Sequence, residues 1–188
     1  MLSIEEIKIY LKEHLRESRY NHTLGVVETA IRLAEINRVD KNKAEIAALA
    51  HDIAKNMTIY ELKDIINKNN IKLSYDEEKT PELWHSIVSP ILAKEIFKIE
   101  DEEILSSMRW HTTGKENMSK LDKIIYIADM IEPSRSFPGV DLIRLESFNN
   151  LDNGVLQGLT HTIKYLLDKG FPIDINSIKA RNYLLLKK

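Results

Sequence analysis

Leu49-Ala50-His51-Asp52-Ile53-Ala54-Lys55 closes an alanine-rich helical stretch with a histidine and an aspartate side by side. Neighbouring positions on a helix lie roughly 100° apart, so both side chains can lean toward one point beside it. A neutral imidazole and an ionised carboxylate are both metal ligands, and the pair sits where a helix ends and other elements can approach. Alone the dipeptide is a weak signal. Its weight depends on ligands elsewhere that an all-helical body could bring to it.

Working outward, the pattern is helical throughout. Ser3 and Glu6 frame a capping box, followed by Ile4, Ile7, Leu11 and Leu15 at helical spacing, which predicts a helix to about Ser18. Arg19 onward opens a second helix with Val26, Ala30, Leu33 and Ala34 inward and His22 in its first turn. Asp40 caps a third helix, whose Ala44, Ala47, Ala48 and Ala50 allow close packing before His51 and Asp52. Thr58 and Glu61 repeat the capping box, and residues 69–79 read as a polar loop. Pro81 starts a further helix, and Pro90 is expected to break or kink it, leaving His85 near a junction. Asp101 caps the segment ending at Trp110-His111-Thr112-Thr113-Gly114. Ser119 and Asp122 begin a helix that Pro133 stops, and Ser134–Gly139 is a loop. Helices near 141–149, 152–169 and 176–186 complete about nine. The fold class expected is all-α, one domain over residues 1–188.

Composition narrows the function classes. Hydrophobic residues make up 43% and charged residues 30%, as in an ordinary globular protein. A formal charge of −2 leaves no basic footprint for nucleic acid. The absence of cysteine removes disulfides and thiolate metal sites and suits a reducing cytoplasm, the expected location. No apolar run reaches a membrane span and the amino terminus does not read as a signal peptide, so a membrane is not an expected partner.

Four histidines, His22, His51, His85 and His111, fall at or near predicted helix ends, whereas His14 and His161 read as structural. Asp129 is the single carboxylate in Ile124–Ile131, where burying a charge costs several kcal/mol unless it is paired or ligates a metal. His22, His51, Asp52 and Asp129 together offer two nitrogens and two oxygens. That set suits iron, manganese, cobalt or zinc rather than calcium, and it leaves positions open for water and substrate. Lys55 and Arg135 are the natural cations for a phosphate chain, while Lys115 and Lys120 read as solvated. Tyr20, Trp84, Trp110 and Phe137 could stack on a base, though an aromatic at helical spacing more often belongs to a core.

The blocks Arg19–Val26, His51–Lys55, Trp110–Gly114 and Ile127–Arg135 carry a resemblance. Their order resembles the HD superfamily of metal-dependent phosphohydrolases and, more closely, the YqeK-type bacterial symmetrical diadenosine tetraphosphate hydrolases, over about residue 15 to the end. The resemblance implies cleavage of diadenosine tetraphosphate to two ADP with a bound divalent metal, iron first. It implies His22, His51, Asp52 and Asp129 as ligands. His85 and His111 match the family's further histidines around the metal and phosphate site; with Lys55 and Arg135 they are the candidate catalytic residues, and Arg19 joins these four as a candidate substrate-binding residue. His85 and His111 either hold a second metal with Asp52 bridging or hydrogen-bond substrate phosphates; the second reading is preferred, since one shared carboxylate would offset little of a second ion's charge. The expected partner is a small dinucleoside polyphosphate or purine nucleotide, and a homodimer stays open. An HD nucleotidase or triphosphatase of other specificity, and a metal-dependent nucleotide sensor without turnover, are the rival functions.

Overall fold

In the computed structural model, which describes residues 1–187, the chain is helical from end to end, with no strand among the described residues. In order these are α1 (Ile4–His14), α2 (Glu17–Asn37), α3 (Lys41–Ala50), α4 (Ile59–Lys68), α5 (Tyr75–Lys79), a 3-10 turn (Pro81–Leu83), α6 (Trp84–Phe97), α7 (Glu102–Arg109), α8 (Lys120–Ile131), α9 (Val140–Asn149), α10 (Leu151–Lys169) and α11 (Ile175–Leu186).

Local chemistry sets most of the boundaries. Both hydrogen bonds of the capping box form at Ser3/Glu6, Thr58/Glu61 and Ser119/Asp122, while Asp40 and Asp101 each accept from two backbone N–H groups of the turn they open. A further box at Ser74/Glu77 starts α5 inside the segment expected to be a loop. The first helix stops at His14, four residues early, because Leu15 is extended. α2 then begins at Glu17, so His22 sits in its second turn instead of its first. Pro90 lies inside α6 and does not end it: Val88, Ser89 and Ala93 are fully buried around it, and packing outweighs the one backbone hydrogen bond that proline forfeits. The expected junction is the 3-10 turn ahead of α6, and His85 is the second residue of that helix.

α8 is the axis of the molecule. Leu121 to Ala128 are all buried along it, and α2, α3, α7, α9 and α10 pack around it. Ala44, Ala47 and Ala48 have no exposed surface, which lets α3 lie close against α2 and α8. α9 and α10 approach still more closely: a Cβ at Gly154 would fall 2.4 Å from the Ser147 Cα. This bundle directs the C-terminal end of α3, the start of α6, the end of α7 and one face each of α2 and α8 toward a common point.

Candidate metal centre and substrate cleft

At that point stand His22 from α2, His51 capping α3, Asp52 in the following turn, His85 from α6, His111 just past α7, and Asp129 from α8. All but Asp129 are buried, Asp52 to 2% exposure. The imidazole centroids step across the site: 6.0 Å from His22 to His51, 5.0 Å from His51 to His111, and 5.1 Å from His111 to His85.

Hydrogen bonding fixes the ring tautomers. His51 Nδ1 lies 2.6 Å from the Ala48 carbonyl oxygen, His85 Nδ1 2.7 Å from that of Glu82, and His111 Nδ1 2.7 Å from that of Met108. A carbonyl only accepts, so each Nδ1 carries the proton and each Nε2 presents a lone pair. His22 Nδ1 donates in the same way to Glu132 Oε1 at 3.0 Å. The four Nε2 atoms then face carboxylate oxygens, which are also acceptors. His22 Nε2 is 3.0 Å from Asp129 Oδ1, His51 Nε2 is 3.6 Å from Asp52 Oδ2, and His85 and His111 Nε2 are each 3.4 Å from Asp52 Oδ1. His85 and His111 Nε2 lie 3.2 Å apart.

Two of these imidazoles carry no second proton at neutral pH. Burial drives His51 down to about 4 and His85 down to about 3. Burial alone would raise both aspartates, yet the imidazoles around Asp52 hold it well below the usual carboxylate range. The His22 contact, His51 and Arg135 do the same for Asp129. His22 Nε2, His51 Nε2 and Asp52 Oδ1 are buried without a hydrogen-bond partner among the described residues. Buried acceptors facing acceptors are costly, and a cation between them removes the cost. Donor atoms of His22, His51 and Asp129 all lie within 4.8 Å of one another, as do those of His51, Asp52 and His111, so the residues fit a divalent metal.

The cations expected to meet substrate are partly engaged with the ligands. Arg19 Nη1 donates to Asp52 Oδ2 at 2.8 Å; Arg135 Nη2 donates to Asp129 Oδ1 at 2.6 Å and its Nε to the Asp129 carbonyl at 2.9 Å. Lys55 Nζ donates to His85 Nε2 at 3.1 Å. Lys115, expected to be solvated, pairs with buried Asp122, and Lys120 donates to the Asn37 carbonyl.

Glu132, which the sequence did not single out, and His161 complete the site. Glu132 is 1% exposed; it orients His22 while accepting from Ser134 N at 2.7 Å. Its carboxylate fits because residue 25 is glycine, where a Cβ would come within 2.6 Å of Glu132 Oε2. His161, read from sequence as structural, instead lines a cavity of about 470 Å³ beside His111, Asp129 and Arg135, with its ring 4.6 Å from that of Phe137. His14 does have a structural setting, stacked on Tyr10 at 3.9 Å. Among the aromatic candidates Phe137 faces this cavity, whereas Trp84 is buried and its Nε1 donates to the Glu77 carbonyl.

The family model for the HD domain matches residues 19–134. A protein of Halalkalibacterium halodurans named symmetrical bis(5'-nucleosyl)-tetraphosphatase is 42% identical over 180 residues, covering 95% of each chain. A Bacillus subtilis protein of the same name is 40% identical over 181 residues, 96% of this chain and 97% of that one. The crystal structure of a predicted HD superfamily hydrolase involved in NAD metabolism from Clostridium acetobutylicum superimposes with a TM-score of 0.96 at 43% identity, covering both chains in full.

Proposed function

This chain belongs to the HD domain family, and from that premise we infer that it is a metal-dependent hydrolase cleaving diadenosine tetraphosphate symmetrically into two ADP. The observation that carries the reading within the molecule is the set of buried Nε2 lone pairs turned on Asp52 and Asp129, an arrangement suited to a cation beside a cleft.

His22, His51, Asp52 and Asp129 are the residues that would hold the ion. Two nitrogens and two oxygens suit a borderline metal, with iron as our first candidate and manganese, cobalt or zinc as alternatives. A divalent ion there supplies Lewis acidity toward a phosphoryl oxygen and toward water. We read His85 and His111 as holders of a second cation, a reading that their tautomers support. With both Nδ1 protons given to carbonyls, the Nε2 atoms have nothing to donate to a phosphate. The geometry thus favours a second cation held by His85, His111 and Asp52 over the phosphate-binding role preferred from sequence.

The remaining work is electrostatic. ADP leaves with a terminal phosphate whose second pKa is about 6, so little protonation is needed at neutral pH. Positioning and charge neutralisation dominate. Arg135 spans from Asp129 to the cavity, with part of its guanidinium open to a polyphosphate; Arg19, paired with Asp52, is partly exposed, and Lys55 stands beside His85. No helix of the described residues is long and apolar enough to cross a membrane. We place the reaction in the cytoplasm, in keeping with the cysteine-free composition.

The test is a product assay on metal-loaded protein. ADP as the sole nucleotide product from diadenosine tetraphosphate is the expected result. AMP with ATP would show asymmetric cleavage, faster turnover of mononucleotides would favour a nucleotidase, and binding without product would make the protein a sensor.

A further inference from the structure

Two cavities open onto the histidine cluster, and they are of equal size. The first, with Phe137, His161 and Arg135, lies on the Asp129 side. The second, also about 470 Å³, lies on the His85 side and is lined by Lys55, Phe171 and Asp174 among others. Thr112 and Thr162 belong to both, forming a ridge between them. Each volume is within the roughly 300–1,000 Å³ of small-molecule sites.

The second cavity has the parts of a nucleoside site. Phe171, in the loop between α10 and α11, is 55% exposed, so its ring is available at the cavity wall. Asp174 is only 7% exposed; one carboxylate oxygen caps α11 by accepting from Asn176 N at 2.8 Å. The other, Oδ2, is buried and has no hydrogen-bond partner among the described residues. A buried carboxylate oxygen without a donor is a receptor for one. Ribose hydroxyls are the donors that a carboxylate takes up in other nucleotide sites. Lys55 stands at the end of the cavity nearest His85, where a phosphate chain would leave the nucleoside.

We propose that this second cavity seats one nucleotide half of the substrate, with Phe171 against the base, Asp174 on the ribose hydroxyls and Lys55 along the phosphates, while the Phe137–His161 cavity seats the other half. The proposal rests on the dinucleotide hydrolase reading and adds a physical reason for its symmetry. Equal lobes on either side of the histidine cluster place equal halves of the substrate on either side of the central bridging oxygen, whose bond to one inner phosphorus is the one broken. The two lobes differ in their residues, so the halves are held by different contacts even though the substrate is symmetric.

Two measurements test this. The first is calorimetric titration of metal-loaded protein with ADP, which is expected to give two ADP per chain, falling to one in the double variant Phe171→Ala/Asp174→Ser; serine retains an N-cap oxygen and removes the second acceptor. One ADP per chain in the unaltered protein overturns the proposal whatever the turnover shows. The second compares diadenosine tetraphosphate with adenosine tetraphosphate, which has a single nucleoside to place. The ratio of their kcat/KM values is expected to fall about tenfold in Phe171→Ala, the loss that one base stack accounts for. Both substrates slowed equally, or neither slowed, would overturn the assignment and leave Phe171 a structural residue. Two bound ADP with no hydrolysis of the dinucleotide would refute the hydrolase reading and leave the second lobe standing.

Discussion

Glu132 Oε1 lies 3.0 Å from His22 Nδ1, joining residues 110 positions apart through a buried carboxylate–imidazole contact. The pair holds the His22 tautomer that turns Nε2 toward Asp129, and the negative charge behind the ring raises its basicity as a ligand. Replacing Glu132 with Gln keeps the shape but turns an amide NH₂ on either the Ser134 donors or His22. Metal affinity is expected to fall about 10–100-fold in a chelator competition. Gly25→Ala should move it in the same direction, since its methyl would meet Glu132 Oε2 at 2.6 Å. Unchanged affinity in both variants would show that Glu132 does not support His22.

Much of this centre is legible in the sequence, for a local reason. His51-Asp52 ends an alanine-rich helix, and Asp129 is alone among apolar neighbours, so each stands out within its own turn. Glu132 does not: three residues on, beside Pro133, it looks like any carboxylate at a helix end, and its partner belongs to another helix. His161, which reads as structural, and Asp174 are no more conspicuous, for the same reason. One sits between threonines, and the other stands just ahead of α11, whose first turn it caps. Only the packing of α10 and α11 against the cleft shows where His161 and the second oxygen of Asp174 lie. The helices themselves were readable from caps and periodicity, and the misplaced boundaries fall at Leu15, Ser74 and Pro90, where a cap or burial overrode composition.

Asp129 and Arg135 are bonded to each other, and their variants should nonetheless part company. Asp129→Ala removes a proposed ligand, so metal content and turnover should both be lost. Arg135→Ala should keep its metal while kcat/KM drops on the order of 10²-fold, the cost of removing a donor that meets transition-state charge. Elemental analysis beside the product assay separates the two. Loss of metal from Arg135→Ala would limit its role to holding Asp129.

The His85–His111 pair makes a countable prediction. If the two Nε2 lone pairs and Asp52 Oδ1 take up a second cation, the loaded protein should contain two metal equivalents per chain. His111→Ala should retain the one held with His22 and Asp129. A single equivalent in the unaltered protein would return these histidines to the substrate.

Stability should carry an acid-side signature from Glu77. Burial by itself raises this carboxyl, but the Ser74 backbone N–H, bonded at 2.8 Å, and the Arg109 guanidinium paired with it bring it below its usual value. A depressed folded-state pKa stabilises the fold above the unfolded value of about 4.3, and the contribution is lost as pH falls through the folded value. Glu77→Gln should therefore be less stable than the parent in urea at pH 7, with the gap closing as the pH is taken below 4. A gap that persisted unchanged at low pH would assign the effect to packing instead of charge.

Gly154 and Gly158, one turn apart on α10, should respond unequally to alanine. Both changes gain helix propensity, roughly 1 kcal/mol each. At Gly158 the new methyl meets the ends of two flexible side chains, Ile127 Cδ1 at 2.9 Å and Met130 Sδ at 3.0 Å. These can rotate away, so the gain and the small displacement should nearly cancel. At Gly154 the methyl meets Ser147 Cα at 2.4 Å, and backbone can yield only if α9 and α10 move apart. Overpacking of that kind costs about 1–3 kcal/mol, outweighing the propensity gain. Gly154→Ala should therefore unfold at lower urea concentration than the parent and Gly158→Ala close to it. Removing the clashing hydroxyl with Ser147→Ala should not restore Gly154→Ala, because the obstacle is the main chain. Full rescue would mean that the Ser147 hydroxyl, and not the close crossing of the two helices, is what requires glycine there.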